Sequence, residues 1–381
     1  MTEKLVKFIR QIYHTDEFIA LCEPVFKGAE KEYLIEAIDS TYVSSVGKYV
    51  NRFEENIEKF TGAKKAIATV NGTAAIHAAL YLAGIQVGDH VITQAMTFVA
   101  ACNVMFHMGV SPIFVDVSRK TLGLCPVALN EYLASNAEID GNGICRHKVS
   151  KCKIAAVLPM HTFGHPVEMD ELQQVCDKWH IELIEDAAES LGSYYKGQHT
   201  GTLSRYGALS FNGNKIITTG GGGMLLCADV DDGVRAKHIT TTAKKPHPYE
   251  FYHEEAGFNY RLPNLNSALG CAQLERLPEI ITQKRNLAAS YRAFFVDSEY
   301  TFVDEPEHCR SNYWLNAVIC KDFAARNNLL KETNDSGVMT RPVWNLMHTL
   351  PMYANAFRGE LHNSEWLAQR IVNLPSTAVE V

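Results

Sequence analysis

The sequence predicts an α/β protein with a large domain over residues 1–250 and a smaller C-terminal α/β domain over 251–381. Three observations carry this. Short apolar runs suited to buried strands alternate with helix-like segments from 65 to 190, the pattern of a mostly parallel, seven-stranded-type sheet covered on both faces. Residues 263–295 repeat apolar side chains at helical spacing with one internal glycine, Gly270. This reads as a single long connecting helix, bent near Pro278. Beyond it, strand-like runs at 314–319 and 338–344 alternate with short helical ones.

In chain order, 28–53 reads as a helix followed by an irregular segment, with Tyr33, Leu34, Ala37 and Ile38 as the helix's apolar face. Helical periodicity resumes over 52–60 through Phe53, Ile57 and Phe60. Residues 66–70 suit a buried strand, Asn71-Gly72-Thr73 breaks it, and 74–82 is a strong helix former. A strand, a glycine turn and a helix N-terminus together bind phosphate well, because free N–H groups and the helix dipole point at the anion. An ordinary threonine cap fits the same residues. Strands follow at 90–93, 112–117, 154–158 and 181–185, with helices at 99–108 and 169–180. Residues 207–211 and 224–228 are further apolar runs, and the polar insertion 136–151 is expected to be an exposed loop. In parallel sheets, ligand groups gather beyond the carboxyl ends of the strands. Thr73, Phe98, His161 and Asp186 fall at such ends, as do Ser210 and Lys215 if 207–211 is a strand.

Composition narrows the function. A net charge of −7 argues against a general nucleic-acid or membrane-surface binder, while leaving room for a locally basic pocket. Ten cysteines occur singly, with no C-x-x-C pair, which suits the reduced thiols of a cytoplasmic protein. Cys145, His147 and Cys152 lack a second ligand pair at zinc-like spacing, so no metal is expected. The first residues are charged, without a signal-peptide core, and the longest apolar stretch, 74–87, is too short to span a membrane and includes His77.

The chemistry centres on Lys215, set between a strand end and four consecutive glycines, Gly220 to Gly223. A desolvated lysine becomes a nucleophile toward carbonyls, including the aldehyde of pyridoxal phosphate. Alone, the same lysine fits a surface hairpin turn. A pyridoxal phosphate site also needs an acid for the pyridine nitrogen, an anion cradle and an aromatic plate. Asp186 is placed to be the acid, Gly72, Thr73 and Ser210 the cradle, and Phe98 the plate. Each has a plainer alternative: helix cap, turn or core residue. His161 and His165 either touch substrate or satisfy a loop.

The motifs Asn71-Gly-Thr-Ala-Ala, Thr97-Phe-Val-Ala, Glu185-Asp-Ala-Ala-Glu-Ser, Ser210-Phe-Asn-Gly-Asn-Lys and Gly257-Phe-Asn-Tyr-Arg-Leu resemble the DegT/DnrJ/EryC1/StrS nucleotide-sugar aminotransferases. The resemblance implies the aspartate-aminotransferase-like architecture of fold-type I pyridoxal phosphate enzymes. It makes Lys215 the Schiff-base lysine, Asp186 the partner of the pyridine nitrogen, and Glu189 a neighbour of the phenolic oxygen. Thr73 and Ser210 would hold the phosphate, and Asn259 would reach the phosphate of the neighbouring subunit in a homodimer with shared sites. L-Glutamate is the implied donor. Gly221 stands where relatives commonly carry glutamate, and Lys215 is kept where a dehydratase side branch has histidine. A finer likeness, in Thr340–His348 and Asn373–Ser376, is to enzymes that aminate C4 of a nucleotide-linked 4-keto-6-deoxy sugar for legionaminic acid and related surface glycans, including lipopolysaccharide O-antigens. UDP is the expected carrier and the sugar is expected to be N-acetylated, with dTDP and GDP as alternatives. Arg261, Arg341 and Trp344 are the candidate substrate contacts, the last two by charge pairing and stacking, although a structural role fits them equally.

Overall fold

A computed structural model describes residues 1–380. Its large sheet comprises β1 (Lys65–Thr69), β2 (His90–Gln94), β3 (Ser111–Val115), β4 (Ile154–Leu158), β5 (Glu182–Asp186), β6 (Tyr206–Ser210), β7 (Gly223–Cys227) and β8 (Phe357–Arg358). They lie in the order β1-β7-β6-β5-β4-β2-β3-β8. β7 runs antiparallel to β1 and β6, and the other neighbours pair in parallel. The seven-stranded expectation is corrected by β8, a two-residue strand beside β3 that is too short to leave a periodic signal. Strands β4 and β7 are buried at every position, which is why they read as continuous apolar runs.

The helix Gly72–Leu82 begins at Asn71, whose side-chain oxygen accepts the Ala74 N–H at 2.7 Å. The long helix Asn264–Phe295 carries Pro278 within its 32 residues and packs against helices Glu30–Asp39 and Lys48–Thr61. Beyond it, Thr301–Phe302, Asn316–Ile319, Ile371–Leu374 and Arg341–Pro342 form an antiparallel four-stranded sheet in that order. Pairing in this sheet thus takes in the last four residues of the first strand-like run and the middle two of the second. Helix Thr2–Tyr13, which sequence reading left unassigned, packs Leu5, Ile9 and Ile12 on Leu287, Tyr291 and Leu329. That helix and β8 both cross the division drawn at residue 250. Among the described residues, no helix is long and apolar enough to cross a membrane.

Two further expectations are corrected. Segment 136–151 is not a bare loop: Ala137–Ile139 pairs with Cys145–His147, and the buried His147 ring meets the Tyr132 hydroxyl at 3.2 Å. On helix Glu30–Asp39 only Ala37 of the expected apolar face is buried, while Ile38 is 57% exposed.

His165 is fully buried and neither ring nitrogen has a partner. Burial lowers its pKa from 6.5 to about 4, so the unfolded chain takes up a proton first as pH falls. Stability should therefore be lost between pH 6.5 and about 4, by about 3 kcal/mol from this group. His199 is depressed to about 4 in the same way and adds in the same direction. Urea unfolding across this range should give a shallower pH dependence for His165→Phe than for the wild type.

Candidate active site

The carboxyl ends of β1, β2, β4, β5 and β6 converge on a cavity of about 280 Å³. The turn after β1 brings Gly72 and Thr73, the segment after β2 brings Phe98, β5 ends in Asp186 with Glu189 just beyond, and β6 ends in Ser210. Lys215 also lines it. Every residue expected at the cofactor from this subunit therefore meets in one place, and Asn259, expected at the neighbouring subunit's cofactor, does not line it.

Past β6 the chain folds back on itself. Phe211 N–H donates to the Gly222 carbonyl at 2.8 Å, and Thr219 N–H to the Phe211 carbonyl at 3.0 Å. The loop so closed presents Lys215, whose Nζ donates to Glu189 Oε1 at 3.2 Å and lies 3.9 Å from the centre of the Trp314 ring. Trp314 is itself held by its indole N–H on the Asn214 carbonyl at 2.7 Å. Sequence reasoning missed Trp314. It belongs to a strand-like run about a hundred residues away, and nothing in that run aims it at the lysine.

Asp186 is 4% exposed, with Oδ1 accepting the Ala188 N–H at 3.1 Å. Burial raises its pKa, against the opposing pull of that N–H and of Lys215. Glu189 is raised by burial too, with Lys215 and the Phe163 N–H pulling it down. Two buried carboxylates thus share one cation, Lys215, and a protonated ring nitrogen against Asp186 would balance the surplus negative charge.

The anion cradle has equally definite geometry. A Cβ on Gly72 would lie 2.9 Å from Ser210 Cβ and 3.3 Å from the Leu209 carbonyl. Only glycine lets the helix N-terminus approach β6 this closely. The four glycines after Lys215 separate by cause. Gly220 has a φ of +80°, a Cβ on Gly222 would meet Thr219 Oγ1 at 2.2 Å, and one on Gly223 would meet the Asn71 carbonyl carbon at 2.4 Å. Gly221 lines the cavity, has no such φ, and a Cβ there would meet nothing within 4 Å.

His161 corrects an expectation. It is fully buried and outside the cavity, with Val167 N–H donating to Nδ1 at 3.2 Å, so that Nε2 carries the proton toward Glu185 Oε2 at 3.0 Å. It braces strand ends and has no nitrogen left for a substrate. Asn259 is exposed and accepts from Arg261 Nε at 2.9 Å, and neither lines this subunit's cavity. Trp344 lines both the cavity and an adjoining groove of about 520 Å³ that includes Arg341.

This sheet, with a lysine and a buried aspartate at its strand ends, defines a pyridoxal phosphate enzyme of fold type I. The chain belongs to the DegT/DnrJ/EryC1/StrS aminotransferase family, whose model matches residues 24–379. It is 33% identical over 360 residues to GDP-perosamine synthase of Escherichia coli O157:H7, covering 94% of this chain and 93% of that protein. It is 34% identical over 364 residues to GDP-perosamine synthase of Vibrio cholerae, covering 94% of each. The solved aminotransferase TlmJ from Streptoalloteichus hindustanus superposes with a TM-score of 0.84 at 25% identity, over 94% of this chain and 93% of that one. The protein is accordingly a pyridoxal phosphate-dependent nucleotide-sugar aminotransferase.

The glycine geometry makes a direct prediction. Gly221→Glu should leave the melting temperature essentially unchanged, because the added side chain has room. Gly222→Ala and Gly72→Ala should each lose about 1–3 kcal/mol in denaturant unfolding through overpacking.

Proposed function

We propose that the protein moves an amino group from L-glutamate to C4 of a UDP-linked, N-acetylated 4-keto-6-deoxy hexose. The amino sugar would serve bacterial surface-glycan or nonulosonic acid synthesis in the cytoplasm. The observation that carries the reading is that Lys215, the buried Asp186 and the helix N-terminus at Gly72 and Thr73 line one cavity. A second reading, a GDP-linked sugar, is favoured by the likeness to two GDP-perosamine synthases at 33% and 34% identity. A sugar dehydratase is disfavoured by the retention of Lys215.

Pyridoxal phosphate, when bound, supplies an electron sink for the carbon that loses or gains a proton. Lys215 would anchor it covalently and, with its amine free, would take a proton from the donor Cα and deliver one to sugar C4. Glu189 holds Lys215 in reach while it is free. Asp186 would keep the ring nitrogen protonated, since its buried carboxylate gains a cationic partner. The Gly72–Thr73 amides with the Thr73 and Ser210 hydroxyls bind the phosphate. Phe98 would pack against the cofactor ring, and Trp314 shields the lysine from water. Arg341 and Trp344, in the groove, receive the nucleotide diphosphate.

We further propose a homodimer with shared sites. Ile35, Ile38, Tyr42 and Val46, close together in sequence, are each 57–68% exposed, apolar side chains that a second subunit would cover. Asn259, outside its own cavity, completes the neighbour's.

Lys215→Ala should abolish turnover and the reducible cofactor link, and Asp186→Asn should lower kcat roughly 10³-fold. A Lys215→Ala enzyme with full activity would sink the proposal. Turnover on a panel of UDP-, GDP- and dTDP-linked 4-keto-6-deoxy sugars separates the two substrate readings. Shared sites predict that mixing inactive Lys215→Ala with inactive Asn259→Ala subunits restores part of the activity, through heterodimers with one intact site. Continued inactivity of the mixture, with subunit exchange verified, would contradict the shared-site dimer.

A further inference from the structure

We infer that Lys284, in the long helix, is a positioning residue that sets the Trp314 ring over Lys215. The inference rests on the reading of Lys215 as the reactive lysine and deepens it. Lys284 is 2% exposed, and its Nζ donates to the Trp314 carbonyl at 3.1 Å, the Ser376 carbonyl at 2.5 Å and the Cys22 sulfur at 3.7 Å. Its partners are thus two carbonyl dipoles and a thiol, with no carboxylate among them. Burial pushes its pKa below the ordinary lysine value, and Cys22 pulls the other way. Lysine is almost never fully buried unless paired, and a buried cation without a counter-ion costs several kcal/mol. A methionine would fill similar space without that cost.

The segments that this cation holds border the site. Trp314 lines both the Lys215 cavity and the adjoining groove. Leu21, next to Cys22, lines the groove, and its carbonyl accepts the Ser376 N–H at 2.6 Å. Ser376 Oγ in turn accepts the Asn316 N–H at 2.8 Å. One ammonium therefore draws together the N-terminal segment, the run that carries Trp314 and the C-terminal end.

Trp314 is tied at three points, and they differ in kind. Its N–H donates to Asn312 Oδ1 at 2.8 Å and its indole N–H to the Asn214 carbonyl at 2.7 Å. Both partners move with the site: Asn214 precedes Lys215 in the same loop, and Asn312 donates to the Glu189 and Leu191 carbonyls. Such ties keep the parts together without fixing where they lie. The third tie, from Lys284 to the Trp314 carbonyl, ends on the 32-residue helix that packs against helices Glu30–Asp39 and Lys48–Thr61. It therefore references the ring, 3.9 Å from Lys215 Nζ, to a rigid element outside the site. A displacement of about 1 Å beside a reacting group can cost on the order of 100-fold in rate.

The test is a double-mutant cycle on the holoenzyme with Lys284→Met and Trp314→Leu. Two rates are read: the single-turnover half-reaction with L-glutamate, and the reduction of the cofactor link by borohydride, which reports access to Lys215. Lys284→Met should slow the first roughly 10-fold and speed the second by a comparable factor. In the Trp314→Leu background the same substitution should change either rate by no more than about twofold. The borohydride rate needs no donor, so the cycle is read even if L-glutamate does not react. Equal effects in both backgrounds, or none in the wild-type background, overturn the inference, because a lysine that only supports the fold acts on both alike. If Lys284→Met does not fold, Lys284→Gln, which keeps a donor for one carbonyl, is read the same way. A wild-type enzyme whose borohydride-reduced link maps to a lysine other than Lys215 would sink the reading of the site instead.

Discussion

The site depends on a charge imbalance held out of water. Asp186 and Glu189 are both buried, and Lys215 is the cation that faces them. Burying two carboxylates costs several kcal/mol each unless they are paired or hydrogen-bonded, and the surrounding backbone is arranged to meet that need. Glu189 receives the Phe163 N–H at 2.9 Å as well as Lys215. Presenting that N–H puts Phe163 in the left-handed region, with φ of 57°, a conformation that costs a non-glycine residue on the order of 1 kcal/mol. The strain persists because the neighbouring contacts overdetermine it.

Those contacts come from the C-terminal half. Asn312 is wedged so closely against Gly164 that a Cβ there would lie 1.9 Å from its side-chain oxygen. The same asparagine binds the backbone carbonyls of Glu189 and Leu191 and orients Trp314. One buried amide thus ties the segment carrying Glu189 to the ring lying over Lys215. Behind it, Glu185 accepts from His161 and from the N–H groups of Gly201, Leu203 and Ser204. Asp186, the next residue on β5, owes its fixed position to that anchored carboxylate. Adjacent acids on one strand therefore point to opposite faces with different work.

Legibility in the sequence followed the range of the interactions. Gly72, Thr73, Asp186, Ser210 and Lys215 could be read as candidates because each sits within a few residues of an apolar strand whose end marks it. Residues that act across long separations left no such mark. Trp314 and Asn312 gain their meaning only from what they face. His161 illustrates the converse: its place at a strand end was legible, but its orientation toward Glu185 was not. Helix Glu30–Asp39 misled for a related reason, since an exposed apolar face looks like a core face in periodicity.

Lys215 and its glycines divide in the same way. The sequence by itself determined that a lysine follows a buried strand and precedes a glycine run, because strand burial and chain reversal are local properties of composition. Tertiary structure alone decided that Gly222 and Gly223 are required by contacts at Thr219 and Asn71 while Gly221 is free of any. It also decided that the lysine lies beneath a tryptophan and against a glutamate. Such relations depend on distances between segments that the sheet brings together, and no local pattern encodes them.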